Sequence, residues 1–331
     1  MRWLAVATGM VLAAAGTAFG DPLAGSSLPA KTRWVIHVDV EGARAAKPLW
    51  DAAQSRLGDL PRAALMPQLA VLERVTSMKV PQELKDVTLY NASFDEDSTC
   101  VRIHGKMDAG LLESFLKTDK EFKQITHGAH TIMQWRDKTR DRLMYVSFAQ
   151  PDLAVLSAKL DGVERSLDTL DRKEAGLQAD SPLAPAATGS GSREMVWLAA
   201  TGLDAMPLGQ NQSPVLTQVE SASIGVRWAN DRVVTDMRVT AKSEKVAQQL
   251  KAVAEGIKAF VELSGADEHA PPALRLLAGT MEQVTVQTDG KTLNGRWPVG
   301  IDKIDMLLNV VLLEKGASTT KAATTTTGSL P

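Results

Sequence analysis

The stretch Trp34-Val-Ile-His-Val-Asp-Val40 decides the fold. Its apolar and polar side chains alternate, setting Trp34, Ile36, Val38 and Val40 on one face and His37 and Asp39 on the other, the pattern of a half-buried strand. A second such run, Met195–Ala200, opens the latter part of the chain. Each run leads into elements of the same order: helix, two strands, helix, two strands, helix. The spacing therefore predicts an internally duplicated βαββαββα unit of the α+β class, occupying 33–176 and 194–315.

Outward from the first run, residues 41–78 read as two or three short helices interrupted by Pro48, Pro61 and Pro67, because proline is tolerated in a first helical turn but not mid-helix. A hairpin is expected from Val87–Phe94 and Cys100–Met107 across the acidic turn Asp95-Glu-Asp97, with Val101, Ile103 and Met107 inward and Arg102, His104 and Lys106 outward. Asp108 is placed to cap a helix whose buried stripe is Leu111, Leu112, Phe115 and Leu116. Four strand-like runs lie between Phe122 and Ser157, and Leu160, Val163, Leu167 and Leu170 outline a closing helix.

In the second half, a short helix is expected near Pro214–Glu220. Ala222–Ala229 and Arg232–Thr240 form a hairpin on the turn-prone pair Asn230-Asp231. The clearest helical period in the chain, Val246, Leu250, Val253, Ile257 and Phe260, predicts a helix over Ser243–Leu263. Strands at Val284–Asp289 and Thr292–Val299 and a helix over Ile301–Glu314 complete the set. Met306-Leu-Leu-Asn-Val-Val-Leu-Leu313 is apolar nearly all round, which calls for neighbours on more than one side: the other half first, a partner protein or membrane surface second. Residues 177–193 are rich in proline, glycine and small side chains and read as a linker. Residues 316–331, with their threonine run, read as a disordered tail.

The first twenty residues carry one positive charge at Arg2, an apolar core and small residues before Gly20, the layout of a secretory signal peptide cleaved after Gly20 and succeeded by a flexible lead, 21–32. An uncleaved anchor is the alternative. Once the signal is removed, no stretch is expected to span a membrane. The single cysteine, Cys100, cannot form an intramolecular disulfide, so the exported chain is expected to fold by core burial alone. The 331 residues carry a formal net charge of -2 with both signs interspersed, so nucleic acid is not an expected partner.

Alternating strands imply a mostly antiparallel sheet with helices on one face and a polar opposite face. That polar face would carry His37, Asp39, Arg102, His104 and Lys106 from the first half and Arg227, Arg238 and Arg296 from the second, the candidate ligand-binding set for an acidic ligand. Solvated cross-strand ion pairs are the plainer account of the same residues, worth only about 0.2–1 kcal/mol each.

Motif chemistry is sparse. His127-Gly-Ala-His130 lacks a third ligand at a fixed spacing, Gly189-Ser-Gly-Ser192 lacks nucleophile-elbow spacing, and the loop from Asp95 has Cys100 and Lys106 where a calcium-binding hand needs Gly and Glu. No catalytic residue, metal or cofactor is assigned. Trp34-Val-Ile-His-Val-Asp39, Asp86-Val-Thr-Leu-Tyr90, His130-Thr-Ile-Met-Gln-Trp135 and Pro151-Asp-Leu-Ala-Val-Leu156 resemble a group of exported bacterial proteins of unknown function. The resemblance implies export and a paired layout and brings no activity. The expected function is a non-catalytic binding protein of the cell envelope, periplasmic or secreted, with an envelope protein or ligand as partner and a homodimer left open. Two alternatives stand: a hydrolase with a scattered site around His37, Asp39 and His104, and a carrier of an apolar ligand.

Overall fold

The computed structural model describes residues 27–57, 73, 76–80, 82–178, 180–184, 194–206, 216–304 and 306. The leader, the tail and the apolar run 307–313 lie outside them. The strands are β1 (Trp34–Asp39), β2 (Leu84–Asn91), β3 (Cys100–Gly105), β4 (Lys123–His127), β5 (His130–Asp137), β6 (Arg142–Gln150), β7 (Leu153–Ser157), β8 (Glu194–Thr201), β9 (Val219–Ala229), β10 (Arg232–Ala241), β11 (Thr285–Asp289) and β12 (Thr292–Gly300). They form one twelve-stranded sheet in the order β11-β12-β10-β9-β8-β1-β2-β3-β7-β6-β5-β4, antiparallel at each pairing. The fold is α+β, as the alternation predicts. The two runs that head the halves lie at the centre of the sheet, β1 against β8, with Ile36 opposite Leu198 and Val38 opposite Val196. Outward from that seam the order is 1-2-3-7-6 on one side and 8-9-10-12-11 on the other, and β5 and β4 extend the first side.

The helices are α1 (Val40–Ala45), α2 (Lys47–Leu57), α3 (Ala109–Leu116), α4 (Leu160–Leu170), α5 (Glu244–Gly265) and α6 (Pro272–Met281). On the front face, Val40, Ala43 and Trp50 of the first two helices, with Ala46 between them, pack on Val38, Val87, Leu89 and Ile103. Nearby, α3 sets Leu116 against Met133, Val146 and Ala154. The back face is not left to solvent. Neighbouring residues of one strand point to opposite sides, and Ile132 and Val155, next to Met133 and Ala154, pack against Val163 and Leu167 of α4, all four fully buried. This corrects the expectation of helices on one face only: the stripe Leu160, Val163, Leu167 needed an apolar floor, and Ile132 and Val155 provide it.

The stretches read as a flexible lead and a linker also cover the back face where the structure describes them. Pro29 bridges Gly176, Leu177 N–H donates to Leu28 O (2.8 Å), and Trp197 Nε1 donates to Leu183 O (2.9 Å). Leu28, Leu177 and Leu183 are thereby buried with Val35, Tyr90, Cys100 and Trp197. A short helical turn at Leu216–Gln218 stands where a helix was expected, and β9 already begins at Val219.

Candidate functional site

The register of the central strands builds two polar rows on the back face. His37, Thr88 and Arg102 stand side by side on β1, β2 and β3, and Asp39, Asp86 and His104 form the next row. Their surroundings are closed. His37 is 3% exposed and shares a 2.9 Å hydrogen bond from Nδ1 with Thr88 Oγ1. Burial lowers its pKa to about 4, against the pull of Asp86 and with the push of Arg102, so it is neutral near pH 7. Asp39, 2% exposed, accepts from Gly42 N–H at 2.6 Å and caps α1. Arg102 Nη1 donates to Ser27 Oγ (2.8 Å) and Ser27 O (3.1 Å) of the covering segment.

His104 is held between two carboxylates. Nδ1 lies 3.0 Å from Asp86 and Nε2 lies 2.9 Å from Asp152, which also accepts from Lys85 Nζ at 2.8 Å. Both ring nitrogens donate only in the imidazolium; the bond to Asp86, reinforced by Asp152, accordingly raises the His104 pKa against the cost of its burial. Lys106 is exposed, 3.5 Å from Glu83.

In the second half, Arg227 is 7% exposed and donates from Nε and Nη2 to Asp236 (3.0 and 2.8 Å). Glu194 stands opposite Arg227 and lies over Gly225, where an added Cβ would meet its carboxyl at 2.7 Å. Burial pushes the Glu194 carboxyl up to about 7, against the attraction of Arg227. Arg238 and Arg296 are exposed, and Arg296 Nε lies 3.8 Å from Asp236. Arg238 pairs with Asn294, and Arg296 with Asp236 two positions along. The two guanidinium groups are therefore diagonal neighbours on one face, about 7–8 Å apart at the backbone.

Of the eight candidates, the structure gathers His37, Asp39, Arg102 and His104 on adjoining rows, buries Arg227 against Asp236 and leaves Lys106, Arg238 and Arg296 outside. The expectation that all eight share one broad open surface is corrected: the strap of Leu28, Leu177 and Leu183 and the helix α4 occupy the back face of the first half. Lys85, Asp86, Asp152 and Glu194 were not among the candidates. Asp86 stands one residue before the run Val87–Phe94 and continues its polar phase with Thr88, whereas Glu194 heads an apolar strand with no local signal.

A cavity of about 210 Å³ lies between the strap and the start of α4, lined by Tyr90, Ser93, Cys100, Lys159 and Arg165 among others. Among the described residues no cluster of three His, Cys, Asp or Glu side chains is arranged to hold a metal ion. No described helix is long and apolar enough to cross a membrane.

No protein-family model and no curated protein sequence matches the chain. Among solved structures, crystal form IV of TP0453 is similar at a TM-score of 0.45 and 10% identity, covering 87% of this chain and 96% of the other. Crystal form I of TP0453 gives 0.40 and 11%, covering 88% and 98%. A likeness of that degree transfers no activity.

Proposed function

We propose that this chain is an exported binding protein of the cell envelope, without catalysis of its own, that takes an anionic group at Arg238 and Arg296. The observation that carries the reading is the contrast within the candidate set. Arg102 and Arg227 are held by hydrogen bonds to Ser27 and Asp236, whereas Arg238 and Arg296 stay exposed on the part of the sheet face formed by β10 and β12, Arg296 with only a 3.8 Å approach to Asp236. Two guanidinium groups at diagonal positions suit a carboxylate or phosphate approached from solvent. Export rests on the leader-like residues 1–20.

The same geometry weighs against the two alternatives. A hydrolase at His37, Asp39 and His104 needs a base with a free lone pair facing a substrate, but His37 is sealed, Asp39 holds a helix and His104 has a carboxylate on each nitrogen. A carrier needs an apolar chamber, and the cavity beside α4 is small and has Asn91, Ser93, Lys159 and Arg165 in its wall.

The test is co-sedimentation of the mature chain with fractionated envelopes at low and high salt. Arg238→Ala combined with Arg296→Ala should lower the bound fraction about tenfold, the weight of one charge-assisted contact, and added salt should do the same to the unaltered chain. Lys106→Ala serves as the control on the other half. Equal binding by the double variant and the control would end the proposal.

A further inference from the structure

We propose that the exposed face of α5 joins two copies of this chain as an antiparallel helix pair around a twofold axis near Gly256, independently of the anion-binding reading. Ser243 Oγ caps α5 by accepting from Val246 N–H, and the first turns settle on the sheet, burying Ala247 completely. One side of the helix is anchored there: Gln248 donates to Thr288 Oγ1 (2.9 Å) and Lys258 Nζ to Val284 O (3.1 Å). The side next to it is bare. Val253, Ile257, Phe260 and Leu263 are 55%, 59%, 68% and 76% exposed.

The spacing of this stripe is informative. Val246, Leu250, Val253, Ile257 and Phe260 succeed each other by alternating steps of four and three residues, the seam of a two-helix coil, which is narrower than the stripe a helix lays on a sheet. Gly256 sits mid-helix beside that seam, and among the described residues nothing lies within 4 Å of where its Cβ would stand. A mid-helix glycine costs about 1 kcal/mol relative to alanine, and close approach of a second backbone gives that position a purpose. With the axis at Gly256 and Ile257, Phe260 of one copy opposes Val253 of the other, Ile257 opposes Gly256 and Leu263 opposes Leu250, so a larger side chain meets a smaller one in the two central pairs and leucine meets leucine at the ends. The contact is isologous, so it closes at two copies.

Charge does not oppose it. Lys251 pairs with Glu255 at 3.7 Å and Lys258 with Glu262 at 3.9 Å along the same helix, so each copy presents a locally neutral border. The four bare side chains expose roughly 500 Å², and two facing copies remove about 1,000 Å², the lower bound of a specific interface. A dimer with a dissociation constant on the order of micromolar is therefore the expectation.

Sedimentation equilibrium on the full mature chain should show a monomer–dimer exchange around 10 μM. Phe260→Glu should raise the dissociation constant about 100-fold with unchanged circular dichroism, as loss of a central anchor does. Because Cys100 is buried, a single introduced thiol reads the geometry. Ile257→Cys should be joined to its copy by a short bismaleimide, and Lys245→Cys, near the end of the helix, should not. A chain that is monomeric up to about 100 μM, whether alone or occupied along this stripe by lipid or another protein, overturns the proposal. So does a dimer indifferent to Phe260→Glu, or equal cross-linking at the two thiols.

Discussion

His37 and His104 lie on neighbouring strands of one sheet face, and their environments drive them in opposite directions. His37 is neutral because burial lowers its pKa to about 4. Its unfolded form, near 6.5, takes up a proton first, so its stabilising effect is present above 6.5 and is lost as pH falls from there toward 4. The full span corresponds to about 3 kcal/mol. His104 has its pKa raised by Asp86 and Asp152. Its contribution is complete below 6.5 and fades as pH climbs through the folded value. Glu194, whose carboxyl is pushed up to about 7, loses stability over much of the interval in which His37 gains it, so the histidines are read as differences between the unaltered protein and each variant. In urea denaturation from pH 8 to pH 4.5 the advantage over His37→Gln should shrink toward acid pH and the advantage over His104→Gln should shrink toward alkaline pH; differences that do not change with pH would refute it. Period-two alternation correctly put both histidines on the polar side. It had no means of showing that Leu28, Leu177 and Leu183, far apart in sequence, fold over that side, which is why a polar face read as an open one.

At the scale of elements, the strands were legible to within three residues, β2 and β9 starting three residues before the expected runs, because each run of alternation ends in its own turn signal. The helices were legible in position but less so in facing. In α3, Leu116 is buried but Leu111 and Phe115 are 38% and 51% exposed, so its predicted buried stripe is corrected by half: an eight-residue helix meets the sheet along one narrow line. The helix α6 was not among the expected elements; its Pro272 stands at the first helical position, where proline is tolerated. Its pairing with α5 depends on Gly265, where an added Cβ would overlap the Ala278 methyl and lie 3.0 Å from Leu274 O. Gly265→Ala should therefore destabilise the protein by about 1–3 kcal/mol through overpacking. Gly256→Ala, facing open space, should stabilise the dilute monomer by about 0.5–1 kcal/mol. Thermal melts of both variants at low concentration measure the contrast, and equal shifts would contradict the packing described.

Across the whole molecule, the decisive feature is the β1–β8 seam, where two regions that read as separate units share one continuous sheet. Splitting there would expose two apolar central strands as open edges. The chain should accordingly unfold in one cooperative transition, with calorimetric and van't Hoff enthalpies in agreement; two resolved transitions would show the halves to be independent. Sequence periodicity implied equivalent halves but carried no information on how they join, because the pairing of β1 with β8 leaves no trace in either strand's own pattern.

The lone thiol supplies a practical handle. Cys100 lies beneath α4, close enough that a Cβ on Gly162 would come within 2.8 Å of its sulfur, and burial pushes its pKa up. Reagents in bulk water cannot meet a thiolate there until that helix or the strap, which together wall the adjoining cavity, moves aside. The speed at which a disulfide dye colours the native protein is thus a stopwatch for the parting of that cover, readable without any label or engineered residue.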